Sequence, residues 1–156
     1  MERPAKFSKG AAAITGSFKE RIHRMNYGFK KILTLPFATV KDKVTEALKK
    51  EGFGILSEID VAQKFKEKLG IDFPKYVILG ACSPPHAHRA IMAEEDIGLL
   101  LPCNVIIYEK DNKTALAIIK PKVAMQMVDN AKLGALADEV EAKLEKVFES
   151  VVRGEE

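Results

Sequence analysis

The sequence predicts an α+β fold, with a largely antiparallel sheet of about five strands and helices on one face. Three observations carry that expectation. The order of elements reads strand, helix, strand, short helix, strand, helix, strand, strand, helix, so hairpin-capable strands are flanked by helices. Two apolar runs, Asn104 to Glu109 and Thr114 to Ile119, are joined by the turn Lys110-Asp111-Asn112-Lys113, the pattern of a β-hairpin. The apolar stripes of the helices are single-sided, so each needs only one sheet to lie on. Leu99-Leu100-Leu101 and Val105-Ile106-Ile107 present apolar residues to both faces. The face without helices is therefore expected to be buried in a homodimer rather than left to solvent.

Residues Met1 to Asn26 form a basic N-terminal extension, in which Arg3, Lys6, Lys9, Lys19, Arg21 and Arg24 outnumber Glu2 and Glu20. It reads as a solvated arm with a short helix near Ser17 to Met25; the functional alternative is an arm that reaches an anionic surface or a partner subunit. Residues 27–156 are expected to form a single α+β domain. Tyr27 to Leu35 is a strand stopped by Pro36. Thr39 caps a helix with Val40, Val44, Ala47 and Leu48 on one face, and Gly52 ends it. Phe53 to Ile59 is a strand that places Phe53, Ile55 and Ile59 on one face. Asp60 then caps a short helix, with Gln63 three residues on and Val61, Phe65 and Leu69 as its stripe, and Gly70 closes it.

Tyr76 to Ala81 is dense enough in apolar residues for a central strand. Ser83 is the N-cap and Pro84 the first residue of a helix that runs to about Glu94. Ile97 to Leu101 returns to extended structure. Pro102 has no N–H for a sheet ladder and marks a bulge or a break. After the hairpin and Pro121, Val123 to Val128 is a short helical segment. The last helix, about Ala131 to Val152, carries the stripe Leu133, Leu136, Val140, Leu144, Val147 and Val151.

Composition narrows the function. A chain of 156 residues, 47% hydrophobic and 30% charged, buries a core without disulfides or metal. A formal charge of +3, 7% aromatic residues and no Trp give neither the charge nor the stacking surface for nucleic acid, and no nucleic-acid partner is expected. No apolar run is long enough to span a bilayer. The N-terminus lacks the continuous apolar core of a secretory signal, and two cysteines make no secreted disulfide framework, so a cytoplasmic location is expected. The sequence has no Walker loop, dinucleotide fingerprint, Cys-x-x-Cys or His-Glu-x-x-His, and no serine in a nucleophile elbow. Which cofactor, if any, the chain takes is unknown from its sequence, and whether it is an enzyme stays open.

Several segments together resemble a known family. Gly52-Phe53-Gly54-Ile55-Leu56, Ile59-Asp60, Ile78-Leu79-Gly80-Ala81-Cys82-Ser83-Pro84 and Gly98-Leu99-Leu100-Leu101-Pro102-Cys103-Asn104-Val105 are similar to the domain of unknown function 302 family, over roughly Tyr27 to Val152. The resemblance implies a β-α-β(4)-α arrangement in a small, often dimeric protein, with no settled biochemical activity. Ser83 departs from the Asn expected in many relatives, but it caps a helix as well as Asn does.

The stretch Lys75 to Glu109 holds both cysteines and two of the three histidines, and the candidate site is placed there. Cys82 precedes a helix start, where the dipole favours a thiolate. Pro84 and Pro85 remove two of the N–H groups that would strengthen that effect. Cys82 therefore stands between a reactive group and a small buried hydrophobe, and Cys103 leans toward the second role. His86 lies four residues after Cys82 and is placed to position or protonate. Ser83 and Asn104 offer hydrogen bonds to a ligand. His88, two residues after His86, points nearly the opposite way on a helix and reads as a surface residue. The acidic cluster Glu94-Glu95-Asp96 is read at a helix C-terminus, where the dipole disfavours it.

The leading expectation is a small α+β homodimer that binds a small molecule, or uses a reactive Cys82 thiol, in a pocket shared with Cys103, Asn104, His86 and Ser83. The alternatives are a non-catalytic dimeric interaction module with structural cysteines, and a soft-metal site on Cys82, Cys103 and His86.

Overall fold

The computed structural model describes residues 26–155, so the expected helix near Ser17 to Met25 lies outside the described residues. The elements are β1 (Gly28–Leu33), α1 (Phe37–Lys50), β2 (Gly54–Asp60), α2 (Val61–Leu69), β3 (Tyr76–Cys82), α3 (Pro84–Ala93), a 3-10 helix (Glu95–Leu100), β4 (Cys103–Lys110), β5 (Lys113–Ile119), α4 (Pro121–Met125) and α5 (Lys132–Arg153). One five-stranded sheet in the order β1-β5-β4-β3-β2 is antiparallel throughout. This is the α+β architecture the sequence predicts, with α2, α3, the 3-10 helix and α4 added to the β-α-β(4)-α outline.

Strand alternation divides the sheet into two faces. On the covered face Leu33, Val77, Leu79, Val105, Ile107, Leu116 and Ile118 are buried under α1 and α5. The α1 stripe of Val40, Val44 and Leu48 and the α5 residues Val140, Leu144, Val147 and Val151 complete this core. A smaller core forms where α3, the 3-10 helix and the start of α5 meet, around Ala90, Ile97, Leu133 and Leu136. The opposite face carries Ile32, Ile78, Ile106 and Ile119, all only half-buried, with Ala117 buried among them. Tyr76 stacks on Tyr108 there at 5.2 Å between centroids, with the Lys30 ammonium over the Tyr108 ring. A shallow apolar cleft crosses the face between Tyr27, Asn104, Ile106, Ala117 and Ile119.

Local chemistry sets most boundaries. Asp60 accepts the Gln63 N–H at 2.9 Å as the N-cap of α2, and Gly70, at φ +66°, supplies the left-handed residue that ends it. The hairpin turn places Asp111 at φ 52° and Asn112 at φ 60°, the two positive values of a type I′ turn, and it fixes the pairing of Lys110 with Lys113.

Four expectations change. The segment Ile97 to Leu101 is not extended: Glu95–Leu100 is a 3-10 helix, with Glu95 and Asp96 in its first turn. Their charges therefore sit at a helix N-terminus, where the dipole favours them. Helix α1 begins at Phe37 behind Pro36, so Thr39 lies inside it rather than capping it. A β-bulge between Ile55 and Ser57 shifts the alternation of β2. Ile55 faces the covered side opposite Ala81, but Ile59 pairs with Ile78 on the other side and is 46% exposed. Helix α2 keeps its apolar stripe but buries none of it; Phe65 instead meets Phe73 edge to face at 5.0 Å. No helix of the described residues is long and apolar enough to cross a membrane.

Candidate functional site

The site forms where the end of β3 meets the start of β4. Ala81 pairs with Cys103 across the two strands, so Cys82 and Cys103 are brought to the same end of the sheet. Cys103 follows the cis Leu101–Pro102 peptide. Gly80, one pair further in, is tightly packed: a Cβ added there would meet Ser57 and lie 2.7 Å from Pro102 Cγ. Beyond Cys82 the chain enters α3 through Ser83, whose extended backbone (φ −102°, ψ 106°) suits an N-cap.

Ser83 does not cap in the ordinary way. Its hydroxyl makes no bond to the helix backbone, and Pro84 and Pro85 have no N–H to offer. The hydroxyl instead lies 2.7 Å from His86 Nδ1. The other ring nitrogen, Nε2, lies 3.3 Å from Glu139 Oε2 on α5, and Arg89 Nη1 donates to the same oxygen at 3.0 Å. The Arg89 guanidinium first, and then His86, hold the Glu139 carboxyl below its ordinary pKa. In the tautomer with its proton on Nε2, the imidazole donates toward this carboxylate. In that tautomer Nδ1 is the lone-pair nitrogen and accepts the Ser83 O–H. Ser83, His86 and Glu139 thus line up from the interior to the surface, the first two joined by a hydrogen bond and the last two in polar contact at 3.3 Å.

The inner end of that chain opens on a cavity between the two apolar cores. It offers about 40 Å³ to water-sized groups, within a half-open cleft of about 480 Å³ that runs out to solvent. Ala81, Cys103 and Val140 come from the larger core; Ala90, Leu133 and Leu136 come from the smaller. Cys82, Ser83 and His86 bring polar atoms to an otherwise apolar wall. The inner volume accommodates about three water-sized groups.

Both thiols are free and held toward the protonated form. Burial, and to a lesser degree the neighbouring Cys82, pushes Cys103 up to about 11, and burial also raises Cys82. The two prolines have removed the helix N–H groups that would have opposed this shift. At neutral pH both side chains are small apolar surfaces with a weak S–H donor.

Of the residues singled out from sequence, the structure brings Cys82, Ser83, His86 and Cys103 to one cavity. It does not bring Asn104 there. Asn104 pairs with Gly80, points to the opposite face of the sheet and is exposed. His88 is exposed on α3. Glu94 accepts from Asn130 Nδ2 at 3.2 Å rather than approaching the thiols. Among the described residues no group of three His, Cys, Asp or Glu side chains is placed to hold a metal ion. Glu139 and Arg89 were not singled out. The Ser83–His86 spacing of three residues at a helix start is a capping-box spacing and is legible. Arg89 follows one turn later, but nothing local marks Glu139, 53 positions from His86.

Fold and site together define a small α+β protein with an apolar, thiol-lined cavity at one end of an antiparallel sheet. The family model "Domain of unknown function DUF302" matches residues 29–151, and the chain belongs to that family. Among solved structures it is similar to an uncharacterized conserved DUF302 protein from Bacillus stearothermophilus, with 28% identity and a TM-score of 0.75, covering 81% of this chain and 98% of that one. Comparison with curated proteins gives no match.

Proposed function

We propose that this protein binds a small, mainly apolar molecule in the cavity between Cys82 and Cys103, with one polar group of the ligand placed against Ser83. The observation that carries this reading is the combination of an apolar cavity with a single polar chain, Ser83–His86–Glu139, ending in its wall. Such a site takes affinity from apolar contact and orientation from a few placed polar atoms. The raised pKa of both thiols supports binding over thiolate chemistry, because the nucleophilic form is scarce at neutral pH. Two free thiols also fit the reducing conditions of the cytoplasm.

Propan-1-ol, a short apolar chain with one hydroxyl, tests the reading by NMR titration. The expected result is saturable shifts confined to Ala81, Ser83, Ala90, Cys103 and Leu136. An affinity in the millimolar range suits so few atoms. Linear, scattered shifts would remove the proposal.

A second reading concerns assembly. The half-buried Ile32, Ile78, Ile106 and Ile119 on the uncovered sheet face favour a homodimer in which two copies of this face meet.

A further inference from the structure

We propose that Ser83 is an acyl-accepting nucleophile, and that the chain hydrolyses small esters whose short apolar acyl group sits in the cavity. This rests on the binding reading above. Three observations point to it. Ser83 is 7% exposed, and its hydroxyl makes no bond to the helix backbone; it lies 2.7 Å from His86 Nδ1. His86 faces Glu139 from its far side at 3.3 Å, and the tautomer with its proton on Nε2 turns the Nδ1 lone pair toward the serine. Arg89 holds Glu139 as a carboxylate, so the orienting charge persists.

The arrangement has the logic of a nucleophile, a base and an orienting acid, with the two imidazole nitrogens exchanged relative to the familiar serine-hydrolase order. The base is committed to the serine by geometry, since His86 Nδ1 lies against Ser83 Oγ and not against the adjacent Cys82 thiol.

The step balances within the site. Ser83 Oγ bonds to the ester carbonyl carbon as its proton passes to His86 Nδ1. The carbonyl–alkoxy bond then breaks, and the imidazolium returns the proton to the departing alkoxide oxygen. Water attacks the acyl-serine by the same route in reverse, releasing a carboxylic acid and restoring the hydroxyl. The two prolines leave the N–H of His86 as the first donor the helix can present to the developing oxyanion. One donor in place of two predicts slow turnover, with the acyl-serine accumulating.

The test uses p-nitrophenyl acetate with the intact chain, read by p-nitrophenolate release and by peptide mass mapping. The expected result is a burst of close to one equivalent, with a single acetyl group on Ser83. Ser83→Ala abolishes the burst. Glu139→Gln, changed at the half-exposed end of the chain, slows it about tenfold, and Glu139→Asp recovers part of the rate. An acetyl group on Cys82, or only scattered acetylation of surface lysines, overturns the proposal. A propan-1-ol titration of the same sample separates the two readings. Saturable shifts with an unmodified Ser83 would sink the ester chemistry and leave the binding site standing. The absence of both would remove both.

Discussion

Cys103 shows how one buried side chain sets a property of the whole fold. It is 8% exposed among apolar neighbours, and its thiol is pushed up from 9.0 to about 11. The native state holds the proton more tightly than the unfolded chain. The resulting stability is fully present below pH 9 and is lost as pH rises through about 11. The gap between 9.0 and about 11 corresponds to up to about 3 kcal/mol. Urea unfolding of the wild type should therefore weaken more between pH 8.5 and pH 11 than that of Cys103→Ala. Parallel pH profiles for the two proteins would show that the thiol ionises without penalty. Cys82 and Cys103 were legible as residues of one site because they end and begin adjacent strands. Their protonation was not legible, since it depends on burial by residues from α4 and α5. Asn104 illustrates the converse. It directly follows Cys103, but strand alternation sends it to the other face.

Among the elements, those with strong periodicity and clear punctuation were read closely. Helix α5 buries the six residues of its predicted stripe, Leu133, Leu136, Val140, Leu144, Val147 and Val151. Leu144 is fully buried against the sheet, so Leu144→Asp places an unpaired charge in the main core. The expected loss is more than about 4 kcal/mol, measured by denaturant unfolding; an unchanged midpoint would mean that the helix face is misassigned. Elements set by tertiary context were read less well. The bulge between Ile55 and Ser57 moves Ile59 to the opposite face, and a simple two-residue alternation does not announce it. The apolar run before Pro102 suggested a strand, yet Ile97 packs beside Ala90, Leu133 and Leu136, and the segment winds into a 3-10 helix. Helix α2 has a regular stripe but buries none of it.

At the scale of the molecule, the two faces of the sheet divide the work. One builds the cores and, between them, the cavity. The other leaves apolar residues only half covered. If that second face joins two copies, Ile106→Asp at its centre should convert a dimer to a monomer in sedimentation while leaving the fold intact. A wild-type chain that sediments as a monomer at tens of micromolar would refute that assembly. The cavity itself could not be read from the sequence, for it depends on α3 and α5 meeting above the strand ends and on Glu139 reaching His86 across a long chain separation.

The central claim is that this cavity holds a small ligand. The measurement that tests it most directly is the propan-1-ol titration run on wild type beside Ala87→Phe, which places an aromatic ring in the cavity lining. Saturation in the wild type, lost in the folded variant, is the predicted result. Identical responses in the two proteins would place the alcohol elsewhere and contradict the account.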